Sequence, residues 1–418
     1  MPSVFTLSKL AAVTLLAASA TVSSAASATA PSLVTGSGSP TTSMIRQCGQ
    51  QMWAVGSFAS VKAAGQPAVT RNNIFAFDLA SGVIAAVNPD VNGPVRTIAF
   101  SPDCSSAYIG GAFTSVGGVA SSNIAKIATA SGVVDPLFAR NASKQVRALA
   151  YAGTHLLVGG DFTTINGSTG TASAYLTSLS PSTGIPDGYA NNMAITGTLP
   201  NDHTGIRKMW VNPAGSRVAI DGVFTSALGQ PRRQAFVVDL AASSLSLDPW
   251  FSTTLNQSCT PPSEQFYAQS MAWSPDGAYL YIASTGFAGA TLCDSVAKFS
   301  AAPKAGQLPI WVNKTGGDSL YSVVATLTDV YIGGHERWAN NPLGQNSCGT
   351  GCVPRPGIGD ISATTGLATS WNPTRSRGHG AQDLFLDSLG DLWVSSDAPL
   401  GSLCAGAPHP GICEFPHA

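Results

Sequence analysis

Apolar and polar residues alternate along most of this chain in short runs, and the period is two. Val95-Arg96-Thr97-Ile98-Ala99-Phe100, Val146-Arg147-Ala148-Leu149, Ile206-Arg207-Lys208-Met209-Trp210 and Met271-Ala272-Trp273 are examples. Such alternation predicts half-buried strands, and no stretch beyond the N-terminus carries the apolar spacing of an amphipathic helix. Tight-turn chemistry follows these runs at Ser101-Pro102-Asp103-Cys104, Asn212-Pro213-Ala214-Gly215 and Ser274-Pro275-Asp276-Gly277, with Pro fixing one backbone angle and Gly accepting a positive φ.

A glycine-rich strand comes next, at Val55-Gly56-Ser57-Phe58, Ile109-Gly110-Gly111-Ala112-Phe113, Val158-Gly159-Gly160-Asp161-Phe162 and Ile220-Asp221-Gly222-Val223-Phe224. Degenerate copies stand at Ile282-Ala283-Ser284, Ile332-Gly333-Gly334 and Val394-Ser395-Ser396. The seven copies lie roughly 50–60 residues apart, the spacing expected of blade-sized repeats. A long polar loop then leads to a third strand (Ile74-Phe75-Ala76-Phe77-Asp78, Ile124-Ala125-Lys126-Ile127, Phe236-Val237-Val238-Asp239), a Ser-Gly or Thr-Gly turn, and a fourth strand with Trp or Asn-Pro, as in Trp311-Val312-Asn313 and Trp371-Asn372-Pro373. Four short antiparallel strands per unit, seven times over, predict an all-β, seven-bladed β-propeller of four-stranded antiparallel blades, stapled by disulfides. The competing architecture is an open β-solenoid, whose rungs are usually much shorter than these units. The last unit is expected to run from Gln382 to Asp397 and to be completed around Ile412 to Phe415.

The segment Gly110-Gly111-Ala112-Phe113-Thr114-Ser115-Val116, followed by Ile124-Ala125-Lys126-Ile127 and Ser131-Gly132, with matching units at Gly159 and Asp221, resembles the bacterial delta-60 repeat, a β-propeller repeat of exported proteins. The resemblance covers about Met52 to Pro373, strongly in units one to four and weakly beyond. It implies a fold and export; it brings no general catalytic signature.

Composition narrows the partners. Only 10% of the 418 residues are charged and the net charge is -1, so the chain lacks the basic field that draws proteins to nucleic acid. Lys9, the apolar run Leu10 to Ala18 and the small residues around Ala26-Ser27-Ala28 read as a signal peptide over residues 1–30, cut between about Ala25 and Ala30, and the competing reading is an uncleaved anchor. Residues 31–43 read as a flexible Ser/Thr/Gly/Pro-rich leader, and 44–418 as a single propeller domain with no membrane span after cleavage. Eight cysteines in an exported chain favour disulfides. Repeat geometry pairs Cys48 with Cys104, in equivalent turns of adjacent units, and Cys259 with Cys293. Cys348 with Cys352 and Cys404 with Cys413 would close local loops. Zinc at Cys348-Gly-Thr-Gly-Cys352 is the alternative, but no second ligand pair stands at the required spacing.

In a propeller blade the connection between strands two and three shares a face with the connection between blades. Here both are long, so a site is expected on that face and at its channel mouth. The longest such loop runs from His335, Glu336, Arg337 and Trp338 through Cys348 and Cys352 to Arg355. With Arg375, Arg377 and His379 after the fourth strand of that unit, and Arg232 and Arg233 from unit four, these form the candidate ligand site, guanidinium forks taking an anion and Trp338 stacking on a sugar. The competing reading makes them solvated loop residues in weak surface ion pairs. No metal site, cofactor fingerprint or catalytic motif is present in the sequence, so no catalytic residue is assigned. The expected function is a secreted or envelope-associated, non-catalytic binding module for an extracellular glycan, a small anionic ligand or an envelope protein. The alternative is an exported enzyme acting on a sugar or small polar substrate at the channel mouth.

Overall fold

The computed structural model describes residues 23–417 apart from 36–38, 168–173, 192, 201, 242, 260–266, 288, 317–318, 377–379 and 398–401. Seven antiparallel sheets recur along the chain, each opening with a strand of alternating burial and turning tightly into a glycine- or serine-rich second strand. Their first strands are Thr41–Cys48, Val95–Phe100, Val146–Ala152, Gly205–Val211, Tyr267–Trp273, Leu320–Ala325 and Ala381–Leu386. We number the sheets one to seven by these strands. Second and third strands pair in sequence order in each of them. A fourth strand, expected throughout, is present only in sheets four (Leu245–Leu247) and five (Pro309–Lys314). In sheets one, two, three and six it shrinks to single bridges at Ile84, Val134, Pro186 and Ala368. In sheet seven Ile412–Phe415 pairs as third strand with Leu392–Ser396.

Seven apolar layers hold the sheets, one between each consecutive pair. Val55, Ile74, Ile98 and Ile109 join sheet one to sheet two. Met52, Phe75 and Phe77 join it to Trp393 and Ile412 of sheet seven, where the Phe77 and Trp393 rings lie 5.3 Å apart. First strands of neighbouring sheets are in contact, and that of sheet seven also meets that of sheet one. There Arg46 and Asp383 form an ion pair at 2.5 Å.

The second-strand glycines are required by this closeness. A Cβ on Gly110 would stand 2.5 Å from Val146 of the next sheet, and one on Gly111 would stand 2.1 Å from the Pro94 carbonyl oxygen. The first glycine admits the neighbouring sheet. The second allows a β-bulge in the strand facing it.

The sequence reading needs correction at two places. Residues 31–43 are not a loose leader: Ser32–Thr35 pairs with Ser60–Lys62, and Thr41 already begins sheet one. Upstream, Ser23 and Ser27 donate backbone hydrogen bonds to Pro416 and Glu414, so this segment lines the outer edge of sheet seven. Residues 1–22, which hold most of the expected signal peptide, lie outside the described residues. The long loops are also less irregular than expected. Several carry two-stranded ribbons, such as Ser115–Val116 with Val119–Ala120, whose turn residues Gly117 and Gly118 both have positive φ, as a tight primed hairpin turn requires.

All eight cysteines are paired: Cys48–Cys104, Cys259–Cys293, Cys348–Cys352 and Cys404–Cys413. The first links the tight turns of sheets one and two. Peptide mapping without reductant should recover the Cys48–Cys104 cross-link; a Cys48 peptide joined to any other cysteine would contradict this arrangement.

Candidate functional site

The same irregularity marks the first strand of every sheet. Pairing skips one residue between Thr42 and Met44, Val95 and Thr97, Val146 and Ala148, Ile206 and Lys208, Ala268 and Ser270, Leu320 and Ser322, and Ala381 and Asp383. The skipped residues are Ser43, Arg96, Arg147, Arg207, Gln269, Tyr321 and Gln382. A bulge leaves its extra residue out of the ladder and re-aims its side chain, and all seven line one cavity of about 430 Å³. The bulges sit at the entry ends of the first strands, where the connections between sheets arrive, so the cavity is the mouth of the central space on the long-loop face.

The mouth is chemically two-sided. Sheets two, three and four contribute Arg96, Arg147 and Arg207; sheets five, six, seven and one contribute Gln269, Tyr321, Gln382 and Ser43. Arg147 pairs with Asp161 at 2.7 Å and Arg207 with Asp202 at 2.9 Å. His203 lies 3.3 Å from Asp161 and 3.2 Å from Asp202. Among the described residues Arg96 hydrogen-bonds to the Ser43 hydroxyl, at 3.4 Å. Although its side chain meets solvent, surrounding protein holds the Arg96 guanidinium below its ordinary pKa, and Arg147 adds to the effect. Burial does the same to Arg147, Arg207 adding and Asp161 opposing.

Lys208 closes the bottom. From sheet four it crosses to donate to the Tyr321 carbonyl at 2.8 Å and the Gln382 carbonyl at 3.2 Å, on sheets six and seven. Its ammonium is held below its ordinary value by burial, with Asp383 and Asp221 acting against this. A space of about 50 Å³ remains beneath, bordered by Met44, Arg46, Thr97 and Leu149. Lys208 thus stands between the two spaces.

The residues expected from sequence are placed differently. Arg375 is buried, donating to the Gly357 carbonyl at 3.1 Å and the Ser396 hydroxyl at 2.7 Å. Glu336 is fully buried and favours the Arg375 charge, though burial still lowers that guanidinium to about 10. Arg355 is buried as well, bonded to the carbonyls of Pro354 and Thr369. Arg355 and Arg375, expected either to fork a ligand or to form surface ion pairs, are instead buried, their donors taken by three backbone carbonyls and the Ser396 hydroxyl. His335 packs edge-on to Tyr321 and lies 3.3 Å from Asp397. Trp338 pairs with Pro354 in a ribbon, and the Arg337 carbonyl accepts from the Arg355 amide. Arg377 and His379 lie outside the described residues. Arg232 sits apart in sheet four over the Phe251 ring, with Arg233 beside it, and burial holds both guanidiniums down. The mouth arginines were missed, yet a signal existed: Val95-Arg96, Val146-Arg147 and Ile206-Arg207 place Arg second in three successive first strands.

No family profile and no curated protein matches this chain. Among solved structures, a crystal structure of RRP9 WD40 repeats is similar with a TM-score of 0.55 at 11% identity, covering 96% of this chain and 100% of that one. The likeness is one of fold. The chain is all-β and propeller-like. A structure of U3-55K (TM-score 0.49, 11% identity, covering 93% of this chain and 98% of that one) and the extracellular domain of the one-component system BT4673 from B. thetaiotaomicron (0.47, 13%, 92% and 39%) are weaker matches. Among the described residues no helix is long and apolar enough to cross a membrane, and no three His, Cys, Asp or Glu side chains gather as metal ligands.

Proposed function

We propose that this chain is a seven-bladed β-propeller that acts outside the cytoplasm as a non-catalytic binding module, its ligand seated in the mouth on the long-loop face. The observation that carries the reading is the convergence of seven bulge residues, one from each sheet, on a single pocket. Each sheet is read as one blade, its outermost strand reduced to a bridge where it is short. The Gly-Gly-Ala-Phe-Thr-Ser-Val unit supports placing the repeats with the delta-60 type. Complete pairing of the cysteines supports an oxidising compartment, secreted or envelope-associated. Backbone bonding from Ser23 onward favours signal cleavage ahead of that residue over cleavage near Ala30.

Binding is preferred to turnover because Asp161 and Asp202, the carboxylates nearest the mouth, are each engaged by an arginine and serve as counter-ions. An extracellular glycan or small anionic ligand fits the polar lining better than an envelope protein fits so narrow a recess. A thermal-shift screen of glycans and metabolites should yield a ligand that stabilises the protein, by about 2.7 kcal/mol at a hundred times its Kd, and that is recovered chemically unchanged. Filling the mouth with Ser43→Trp should abolish the effect. Ligand binding that survives Ser43→Trp refutes the location, and conversion of the ligand refutes the non-catalytic reading.

A further inference from the structure

The charges around the mouth do not cancel, and the residue left over points to a ligand class. Arg147 is answered by Asp161, Arg207 by Asp202, and Arg46 below them by Asp383. Lys208 gives hydrogen bonds to two carbonyls across the pocket floor. Among the described residues Arg96 is paired with no carboxylate, its one polar contact being the Ser43 hydroxyl at 3.4 Å. One guanidinium fork thus lines the cavity without a carboxylate partner, a geometry that matches one carboxylate, while the Lys208 ammonium gives its hydrogen bonds to the floor in the field of Asp383 and Asp221. The rest of the lining includes Gln269, Gln382 and Tyr267, whose amide and hydroxyl groups both donate and accept, as a ligand's hydroxyls require. The cavity of about 430 Å³ lies within the range of small-molecule sites, larger than an inorganic ion needs.

We propose that the mouth binds a monosaccharide-sized sugar acid, its carboxylate held by Arg96 between Ser43 and Arg147 and its hydroxyls set against Gln269 and Gln382. This rests on the mouth being the binding site. It adds the chemistry: a polyhydroxylated monoanion, with the charge and the hydroxyls read by different residues of one ring. Guanidinium recognises a carboxylate with two parallel hydrogen bonds, so lysine is not an equivalent replacement.

Isothermal titration calorimetry on the whole protein tests this with D-glucuronate, D-glucose, acetate and a glucose phosphate. Glucuronate should bind at least tenfold tighter than glucose, which lacks the charge, and than acetate, which lacks the hydroxyls. Arg96→Gln should weaken glucuronate at least tenfold, Arg96→Lys should lie between, and Gln382→Ala should weaken it severalfold. Arg96 is exposed, so circular dichroism of its variants should match the parent, and Gln382→Ala reads the hydroxyl contacts independently. Equal binding of acetate and glucuronate overturns the inference, as does tenfold tighter binding of the glucose phosphate, or an Arg96→Gln variant with unchanged affinity. If glucuronate gives no heat while another ligand is lost on Ser43→Trp, the sugar-acid assignment falls and the mouth stands. If a ligand is found and Ser43→Trp leaves it bound, both fall.

Discussion

Replacing Arg375 by Ala should destabilise the protein by about 1–3 kcal/mol, the usual cost of leaving a buried polar group without its hydrogen-bond partner. The side chain is 7% exposed and its guanidinium ties Gly357 before the third strand of sheet six to Ser396 of sheet seven. Glu336, with no exposed surface, lies in its field. Removal would take a cation out of that carboxyl's field and leave the Gly357 carbonyl without this donor in a desolvated setting. Urea denaturation would read the loss as a lower midpoint at similar slope. Glu336→Gln combined with Arg375→Ala should cost less than the two single changes added together, since the groups are coupled. A loss below about 1 kcal/mol for Arg375→Ala, the level of an exposed pair, would show the guanidinium to be dispensable. From sequence, this residue reads as one whose removal changes binding and spares stability; its burial reverses that expectation.

Acidifying from pH 8 to pH 5 should stabilise the fold. Burial raises three carboxyls to about 7: Asp221, opposed by Lys208; Asp360, opposed by its Thr369 hydrogen bond; and Glu414, opposed by Ser27. Their ordinary values are 3.8 for Asp and 4.5 for Glu. Between about pH 5 and 7 the folded chain therefore keeps protons that the unfolded chain has released. Stability then falls with rising pH by about 1.4 kcal/mol per pH unit for each such group, and levels off above 7. His409, which burial holds below its ordinary value, works the other way as pH falls below about 6.5. Further down, Asp103, drawn to about 2 by the Ser101 hydroxyl and Ser105, and the similarly lowered Asp187 and Asp276 withdraw stability as they take up protons. Calorimetry should place the highest melting temperature near pH 5. Asp221→Asn keeps an acceptor for the Lys208 amide and should flatten the slope between pH 5 and 7. A melting temperature that rises from pH 5 to pH 8 would disprove the assignment of these carboxyls.

Much of the architecture was legible because it repeats. The alternation in Val95-Arg96-Thr97-Ile98 and its counterparts marks first strands, the Gly-Gly pairs mark second strands, and equivalence between units paired Cys48 with Cys104 without reference to coordinates. The fourth strands were over-read. Asn88-Pro89 and Asn372-Pro373 have the composition of an edge, but an outermost strand has neighbours on one side only, and whether it pairs over several residues or one depends on contacts that composition does not encode. The candidate site was legible only to the level of a face. Arg337 and Arg355 stand out in the sequence because they lie in a long loop that interrupts the repeat beside a cystine, and Arg375 because it follows the fourth strand of the same unit; unusual sequence is easier to see than unusual placement.

Sequence alone determined the period of the strands, the seven units, the places where glycine is needed and the even set of cysteines, because each follows from local backbone preference or from recurrence. Only the tertiary structure decided which arginines meet water. Arg96 and Arg375 are equally plausible as surface residues in one dimension. The first is the extra residue of a bulge and is turned into the mouth, whereas the second lies between two sheets with its donors taken by a carbonyl and a hydroxyl. The direction of a side chain at a bulge, and the burial of a charge between neighbouring sheets, depend on residues far away in the chain. That is why the ring of seven, contributed by positions from Ser43 to Gln382, exists only once the sheets have assembled around a common centre.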